Sequence, residues 1–296
     1  MSNLKSLKKR IHSIESTKKI TSAMKLVSSS YFKKAEKRLY AAVPYTSGLA
    51  QFVDSVLYWK KVTEFPLLRG GKGSTHLLIV MAGTRGLCGG FNLNIGRRAN
   101  MEIRQLIKEG KNVKIICIGA KALSSLEMIH KSYVSKDLRP HDKDSWITVS
   151  NLCDEINLWL INKEIDTCSV IYASFHSLLV SEVKSHSLIP YKEDVINNNK
   201  KLRVPATSEK IPLLFEVEPS FGAVLRKSAL ANLKSQLYFS MLETQTSEQS
   251  ARMIAMDGAT KNSEEMLRKL NLSYNRNRQA TITRELVEII AGAESV

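Results

Sequence analysis

Long hydrophobic runs are missing from this chain, and none approaches the roughly 18 consecutive apolar residues that a membrane-spanning helix needs. Any membrane attachment is therefore expected to run through a partner. Proline and glycine are scarce, at 7 and 14 of 296 residues, while 43% of residues are hydrophobic; together these exclude a disordered or collagen-like chain. Cys88, Cys117, Cys153 and Cys168 make no CxxC pair, which argues against a zinc site, and their scatter fits a reducing compartment better than a disulfide framework. His12, His76, His130, His141, His176 and His186 form no HxxxH or HExxH pair. Asp154-Glu155 and Glu264-Glu265 are adjacent residues that point in different directions on expected helices, so neither resembles a metal site or a general acid/base pair.

Acidic residues are also in deficit. Lys+Arg 44 against Asp+Glu 28 leaves a formal charge of +16, which favours an acidic protein surface, a nucleic acid or an anionic membrane as partner. The imbalance is concentrated at one end, because the first forty residues carry eleven basic and two acidic side chains. That stretch has no Gly or Pro before Pro44 and places Leu4, Leu7, Ile11, Ile14, Thr17, Thr21, Met24, Ser28, Tyr31, Ala35 and Leu39 three or four apart, one face of a long helix. A basic amphipathic start also resembles an organelle transit peptide, but the periodicity runs too far and too regularly for a disposable tag. Pro44 removes an intrahelical bond and is expected to kink the helix, with helix resuming over 50–59.

The other end mirrors the first. From about Phe221 to Ile290 there is no proline, and Leu230, Leu233, Leu237, Met241, Thr244, Ser247, Ala251, Ile254 and Gly258 again fall three or four apart. Glu248 with Arg252, Asp257 with Lys261, Glu264 with Arg268 and Glu265 with Lys269 are acid-first pairs at four-residue spacing, each worth a few tenths of a kcal/mol. Some 70 residues of helix would reach roughly 100 Å and need a partner along their length. The N-terminal helix is the simplest one, giving an antiparallel coiled coil. Its seam is small and polar midway, at Thr17, Thr21, Ser28, Thr244, Ser247, Ala251 and Gly258, which implies close backbone approach or a third surface.

Between the helices the texture changes. The runs 76–80, 113–118 and 168–173 are short, apolar and rich in β-branched residues, and they alternate with helical segments near 94–108, 120–129 and 145–161. That alternation predicts a Rossmann-like α/β domain. The expected organisation is an N-terminal coiled-coil helix over 1–60, a central α/β domain over 75–218 and a C-terminal coiled-coil helix over 219–296. Gly70-Gly71-Lys72-Gly73-Ser74 reads as the linker into the domain; it precedes a strand and lacks the spacing of a phosphate loop. Gly86-Leu87-Cys88-Gly89-Gly90 does follow a strand and precede a helix, where amides could hold an anion, but it lacks GxGxxG and reads as a tight turn. The Asn- and Lys-rich stretch at 197–201 reads as a surface loop. Composition and pattern thus describe a non-catalytic α/β domain carried on a long coiled coil, with no cofactor or metal expected.

Particular residues narrow this further. Ser247-Glu248, Ala251-Arg252-Met253, Ala255-Met256-Asp257, Ala259-Thr260 and Asn262, then Tyr274-Asn275, Arg278-Gln279-Ala280, Ile282-Thr283, Glu285-Leu286, Glu288-Ile289 and Gly292-Ala293, follow one another in an order that resembles the gamma subunit of F-type ATP synthases. Arg10-Ile11, Thr17 to Thr21, Ala23-Met24-Lys25 and Val27 are similar to that family's N-terminal segment, and Arg85 to Asn92 to its glycine-rich turn. Gly83-Thr84 departs from the family, which has Ser-Asp there.

The resemblance implies a rotor shaft, not itself an enzyme. The shaft would turn inside a ring of three alpha and three beta subunits, and its α/β domain would bear on the epsilon subunit and the membrane ring of c subunits, coupling proton flow to ATP synthesis. It implies contact of Arg278, Gln279, Thr283 and Glu285 with a beta subunit, and a basic collar of Lys9, Lys18, Lys19 and Lys25 facing acidic rims of the ring. Residue 1 falls about where the family's helix begins and the cysteine-bearing insert of chloroplast relatives is missing, so a bacterial protein peripheral to the cytoplasmic side of the inner membrane is expected. Two rivals are a nucleic-acid-binding coiled coil and an enzyme built on the α/β domain. The first is disfavoured because Tyr31 and Phe32 are spaced for packing rather than base stacking, and no nucleic-acid partner is expected.

Overall fold

The computed structural model describes residues 2–59, 65–139, 145–191, 218 and 220–294. His141 and the 197–201 stretch lie outside the described residues. The elements run α1 (Ser2–Trp59), α2 (Pro66–Arg69), β1 (Thr75–Met81), α3 (Phe91–Lys108), β2 (Asn112–Ile118), α4 (Ala122–Ser125), a 3-10 turn (Met128–Tyr133), β3 (Val134–Leu138), α5 (Ser145–Ile161), β4 (Thr167–Phe175), β5 (Ser181–Ile189) and α6 (Phe221–Glu294). The molecule divides into two units: residues 1–30 with 252–296, and residues 31–251.

The larger unit is built on a five-stranded sheet of order β3-β2-β1-β4-β5, parallel except for β5, which runs antiparallel to β4. The three strands expected from apolar runs are its centre. Because side chains alternate across a strand, Leu77, Ile79 and Met81 face one side and Leu78 and Val80 the other. The first set packs with Val149, Ile156, Leu233, Leu237 and Met241, from α5 and α6. The second set packs under α3 with Ile95, Ala99 and Ile103. Each wholly buried Leu or Ile contributes roughly 1.5–3 kcal/mol. This is the Rossmann-like α/β arrangement, and the two long helices are the antiparallel coiled coil expected from their periodicity. In the larger unit Phe32, Leu39 and Val43 of α1 cluster with Phe239 and Leu242 of α6, and the Ser235 hydroxyl donates to Thr46 Oγ1 at 2.8 Å.

Several local expectations are corrected. The helix expected over 120–129 is only the short α4 followed by a 3-10 turn. Asn100 of α3 explains the break, because its Oδ1 accepts from the Glu127 N–H at 3.2 Å and lies 2.7 Å from His130 Nδ1, with Asn100 and His130 buried. Two strands escaped the pattern. β3 reads Val-Ser-Lys-Asp-Leu and β5 alternates polar residues, as edge strands with a wet side do. Pro44 sits inside an unbroken α1, where the Thr46 and Ser47 hydroxyls donate to the carbonyls of Ala42 and Val43.

The glycine stretch before β1 is no slack tether. Gly71 N–H donates to the Asp166 carbonyl at 2.7 Å, and the Asp166 carboxylate accepts from Gly73 N–H at 2.7 Å and Thr75 N–H at 3.0 Å. A Cβ on Gly71 would stand 2.1 Å from Asp166 Oδ1, so only glycine can wrap the carboxylate this closely. Asp166 is buried. Asp166→Ala leaves two amides without their charged acceptor and should lower stability by about 2–3 kcal/mol in urea unfolding, against near zero for the exposed Lys72→Ala.

Candidate functional site

In the smaller unit a stripe of buried and half-buried positions on α1 runs through Leu4, Leu7, Ile11, Ile14, Lys18, Thr21, Lys25 and Ser28. A matching stripe on α6 runs through Met256, Thr260, Ser263, Leu267, Leu270, Tyr274, Asn277 and Thr281. Both sets advance in alternating steps of three and four, the 3.5-residue repeat of a left-handed supercoil. The expected seam is therefore shifted in places: Thr17 is exposed and Lys18 replaces it, and Lys25 joins beside Met24. In the larger unit Tyr31 gives way to Phe32, and on α6 the exposed Ile254 gives way to Met256.

Lysines enter a seam because carboxylates wait across it. Lys18 Nζ lies 3.1 Å from Glu264, and Lys25 Nζ 2.6 Å from Asp257. Between these pairs the Thr260 hydroxyl donates to Thr21 Oγ1 at 2.8 Å. Seven residues forward on α1 match seven back on α6, so the polar rungs establish the antiparallel direction. Lysine stems lie along the groove while their ammonium groups reach out. Lys261 adds a second cation to Asp257 at 2.8 Å, and Glu265 pairs with Lys269 at 2.7 Å, both as expected along α6. Glu264 reaches across to Lys18, and Glu248 accepts bonds from the turn after β1.

Of the proposed collar, Lys9 and Lys19 are exposed, while Lys18 and Lys25 carry the rungs. Arg278, Gln279, Thr283 and Glu285 are all exposed on α6, off the stripe taken by Asn277 and Thr281. Thr283 Oγ1 donates to the Gln279 carbonyl at 3.0 Å. What pattern reading passed over is the apolar company they keep: Ile282, Leu286, Val287, Ile289 and Ile290 are exposed too, Ile289 at 71%. Their interleaving with Arg278 and Glu285 in sequence was a usable signal.

In the larger unit the glycine-rich turn after β1 resolves the question of an anion cradle. Thr84 N–H and Arg85 N–H both point at the Glu248 carboxylate, at 3.1 and 3.3 Å, and the Gly83 N–H goes to Asn92 Oδ1 at 2.9 Å. The anion is thus supplied by Glu248 of α6, from within the chain. A Cβ at Gly83 would meet Asn92 Oδ1 and Glu248 Cδ, each at 2.9 Å, so a larger residue there displaces these two side chains. A cleft of about 550 Å³ opens beside α3 and β5, lined among others by His76, Arg98, Glu102, Lys111 and Lys184. Each of its cations has a carboxylate beside it: Arg98 has Glu102, Lys111 has Glu109 and Lys184 has Glu182. Burial first, and Lys111 second, pull the His76 pKa down to about 4, so the ring is neutral between Thr167 and Ser169. The four cysteines are buried free thiols, and desolvation pushes Cys117 and Cys153 up to about 12, far from nucleophilic range. Among the described residues no group of three His, Cys, Asp or Glu could hold a metal ion, and no helix is long and apolar enough to cross a membrane.

A helix pair with polar rungs, in one chain with an α/β sheet whose glycine-rich turn bonds Glu248, has the build of a coiled-coil shaft protein. A family model described as ATP synthase matches residues 3–296. The ATP synthase gamma chains of Sinorhizobium medicae and Rhodospirillum rubrum are each 36% identical to it, over 301 and 307 residues, with both partners of each comparison covered completely. The chain belongs to the ATP synthase gamma chain family. Its fold is similar to a chain of the Tetrahymena thermophila mitochondrial ATP synthase central stalk and c-ring, with TM-score 0.58, 22% identity, and 81% of this chain and 99% of that one covered. It is also similar to a chain of the Euglena gracilis mitochondrial ATP synthase in rotational state 3, with TM-score 0.67, 16% identity, and 99% and 94% covered.

The rungs have a pH signature. Hydrogen bonds from Lys25 first, then Lys261, pull the Asp257 carboxyl down to about 2. An unfolded aspartate titrates near 3.9. Above pH about 4 both states are ionised and the contribution of the pair is complete; as pH falls toward about 2 the unfolded chain protonates first and that contribution is lost. Asp257→Asn should therefore be less stable than the parent at neutral pH, with the gap closing between pH about 4 and about 2 in thermal melts.

Proposed function

We propose that this chain is the central rotor shaft of a proton-translocating F-type ATP synthase. The observation that carries the reading is the match to gamma chains over the complete length, at both helices and the sheet alike. A gamma chain is a non-catalytic subunit. It couples ion-driven rotation of a membrane ring to ATP synthesis at sites held by other subunits, which accords with a sheet whose glycine-rich turn has its Thr84 and Arg85 amides bonded to Glu248. In this reading residues 1–60 and 219–296 serve as the shaft within three alpha and three beta subunits, and residues 75–218 bear on the epsilon subunit and the c ring. The protein then sits peripherally at the cytoplasmic side of a bacterial inner membrane, held there by its partners.

Physical chemistry supports each contact. An α1 with so large an excess of basic residues is repelled by itself and drawn to acidic surroundings, which the rims of a surrounding ring would provide to Lys9, Lys18, Lys19 and Lys25. Lys18 and Lys25 would serve there while also bracing the helix pair. Exposed Ile282, Leu286, Val287, Ile289 and Ile290 gain by burial in a sleeve that excludes water. Beside them, Arg278, Gln279, Thr283 and Glu285 supply directional bonds to a beta subunit.

The test is the double substitution Arg278→Ala with Gln279→Ala in the assembled enzyme. Each charge-assisted bond contributes on the order of 1.5–3 kcal/mol, so a bond made in only one rotary state changes the rate about tenfold or more. Coupled ATP hydrolysis should fall by that factor, while circular dichroism and melting of the isolated subunit stay unchanged because both side chains are exposed. Full activity of the assembled variant, or melting of its coiled coil, would contradict the assignment.

A further inference from the structure

The sheet's carboxyl edge is fastened to α6 by an unusual density of directional bonds. β4 outruns its neighbour: the pairing of β1 with β4 ends at Val80 and Ile171, yet β4 continues to Phe175. The amides that lose a strand partner are met by side chains of α6. Ala173 N–H donates to Thr244 Oγ1 at 3.3 Å and Phe175 N–H to Glu243 Oε1 at 3.1 Å. Ser174 Oγ donates to the same carboxylate at 3.2 Å, and Ser250 Oγ donates to the Leu178 carbonyl. Beyond β1, Thr84 and Arg85 donate their amides to Glu248. Glu243, Thr244, Glu248 and Ser250 lie within about half the circumference of one helix at 100° per residue. All are buried, Glu248 to 2% exposure.

We propose that this row is the torque-transmitting joint between the sheet and α6, with Glu248 as its positioning residue. The proposal rests on the rotor reading. Leu233, Leu237 and Met241 press α6 on the sheet, but apolar contact is non-directional and resists a helix turning about its own axis only weakly. Hydrogen bonds are directional. A small rotation of α6 would carry two buried carboxylates away from the N–H and O–H donors of Thr84, Arg85, Ser174 and Phe175, and a buried charge stripped of its donors is heavily penalised. The joint therefore sets the angle between helix and sheet. It also holds the turn, where Leu87 takes a positive φ of 63°, a strained state for a branched side chain that persists only where its surroundings over-determine it.

Two readouts test this on Glu248→Ala and the milder Glu248→Gln. In the full chain, hydrogen exchange at the Thr84 and Arg85 amides should speed up at least tenfold in Glu248→Ala and less in Glu248→Gln, with the amides of 95–103 in α3 unchanged. In the assembled enzyme, ATP hydrolysis by the detached alpha–beta–gamma assembly, which turns without load, should stay within twofold of the parent, while protons pumped per ATP in membrane vesicles fall at least threefold. A joint that only stabilises the fold would lower both activities together with the amount assembled. Unchanged exchange at Thr84 and Arg85, or unchanged pumping per ATP in fully assembled enzyme, overturns the proposal. Failure of the parent chain to assemble with alpha and beta subunits overturns the rotor reading and the torque role with it, and leaves the exchange result to decide the joint alone. Should Glu248→Ala not fold, Glu248→Gln carries both readouts.

Discussion

The larger unit depends on one demand placed on one stretch of helix: residues 229–250 of α6 must satisfy two surfaces at once. One side takes the sheet and α5 through Ala229, Leu233, Leu237 and Met241, and the other takes α1 through Phe239 and Leu242. A helix flanked on both sides cannot keep a polar face in water. Asn232, Ser235, Gln236, Ser240, Glu243, Thr244, Thr246, Ser247 and Glu248 are accordingly buried along with the apolar residues. Each polar side chain enclosed this way needs a partner: Ser235 finds Thr46 of α1, Gln236, Ser240 and Thr246 bond within α6, and Glu243, Thr244, Ser247 and Glu248 reach the strand ends and turn of the sheet. The polar joint is a consequence of the double burial.

The same constraint explains why a Rossmann-like sheet here does not read as an enzyme. In such sheets the ligand crevice opens at the carboxyl ends of the strands where the order reverses, here between β1 and β4. That is where Glu243, Thr244 and Glu248 make their bonds. The turn that would cradle a phosphate has its amides engaged by a carboxylate of the same chain, with Glu248 in place of a substrate. Gly83-Thr84, the departure from the family's Ser-Asp, leaves the Thr84 amide and hydroxyl both directed at Glu248.

In the smaller unit the balance of forces is different. Leu4, Leu7, Ile11 and Ile14 make an apolar stripe, but the continuation through Lys18, Thr21, Lys25 and Ser28 has no large apolar side chain to bury. Orientation and register in that stretch come from ion pairs and a threonine bond, which specify alignment better than they stabilise it. A seam of this kind keeps side chains small and leaves the outer faces of both helices unencumbered.

Much of this was legible in the residues themselves. The span of both helices, the three central strands, α5 and the shape of a coiled coil beside an α/β domain follow from hydrophobic period and from where proline and glycine fall, because these signals are local. Long ordered matches at the two ends identified the family for the same reason. Tertiary structure alone decided the rest. Which of two adjacent residues enters a seam, Thr17 or Lys18, depends on whether Glu264 stands opposite, and no local pattern contains that. The polar edge strands β3 and β5 owe their conformation to β2 and β4, not to their own composition. Gly71 and Gly73 look like a linker until Asp166, more than ninety residues later, is folded against them. Glu248 stands four residues before Arg252, a local signal of a helical ion pair; its amide donors at Thr84 and Arg85 are brought to it only by the packing of α6 across the sheet.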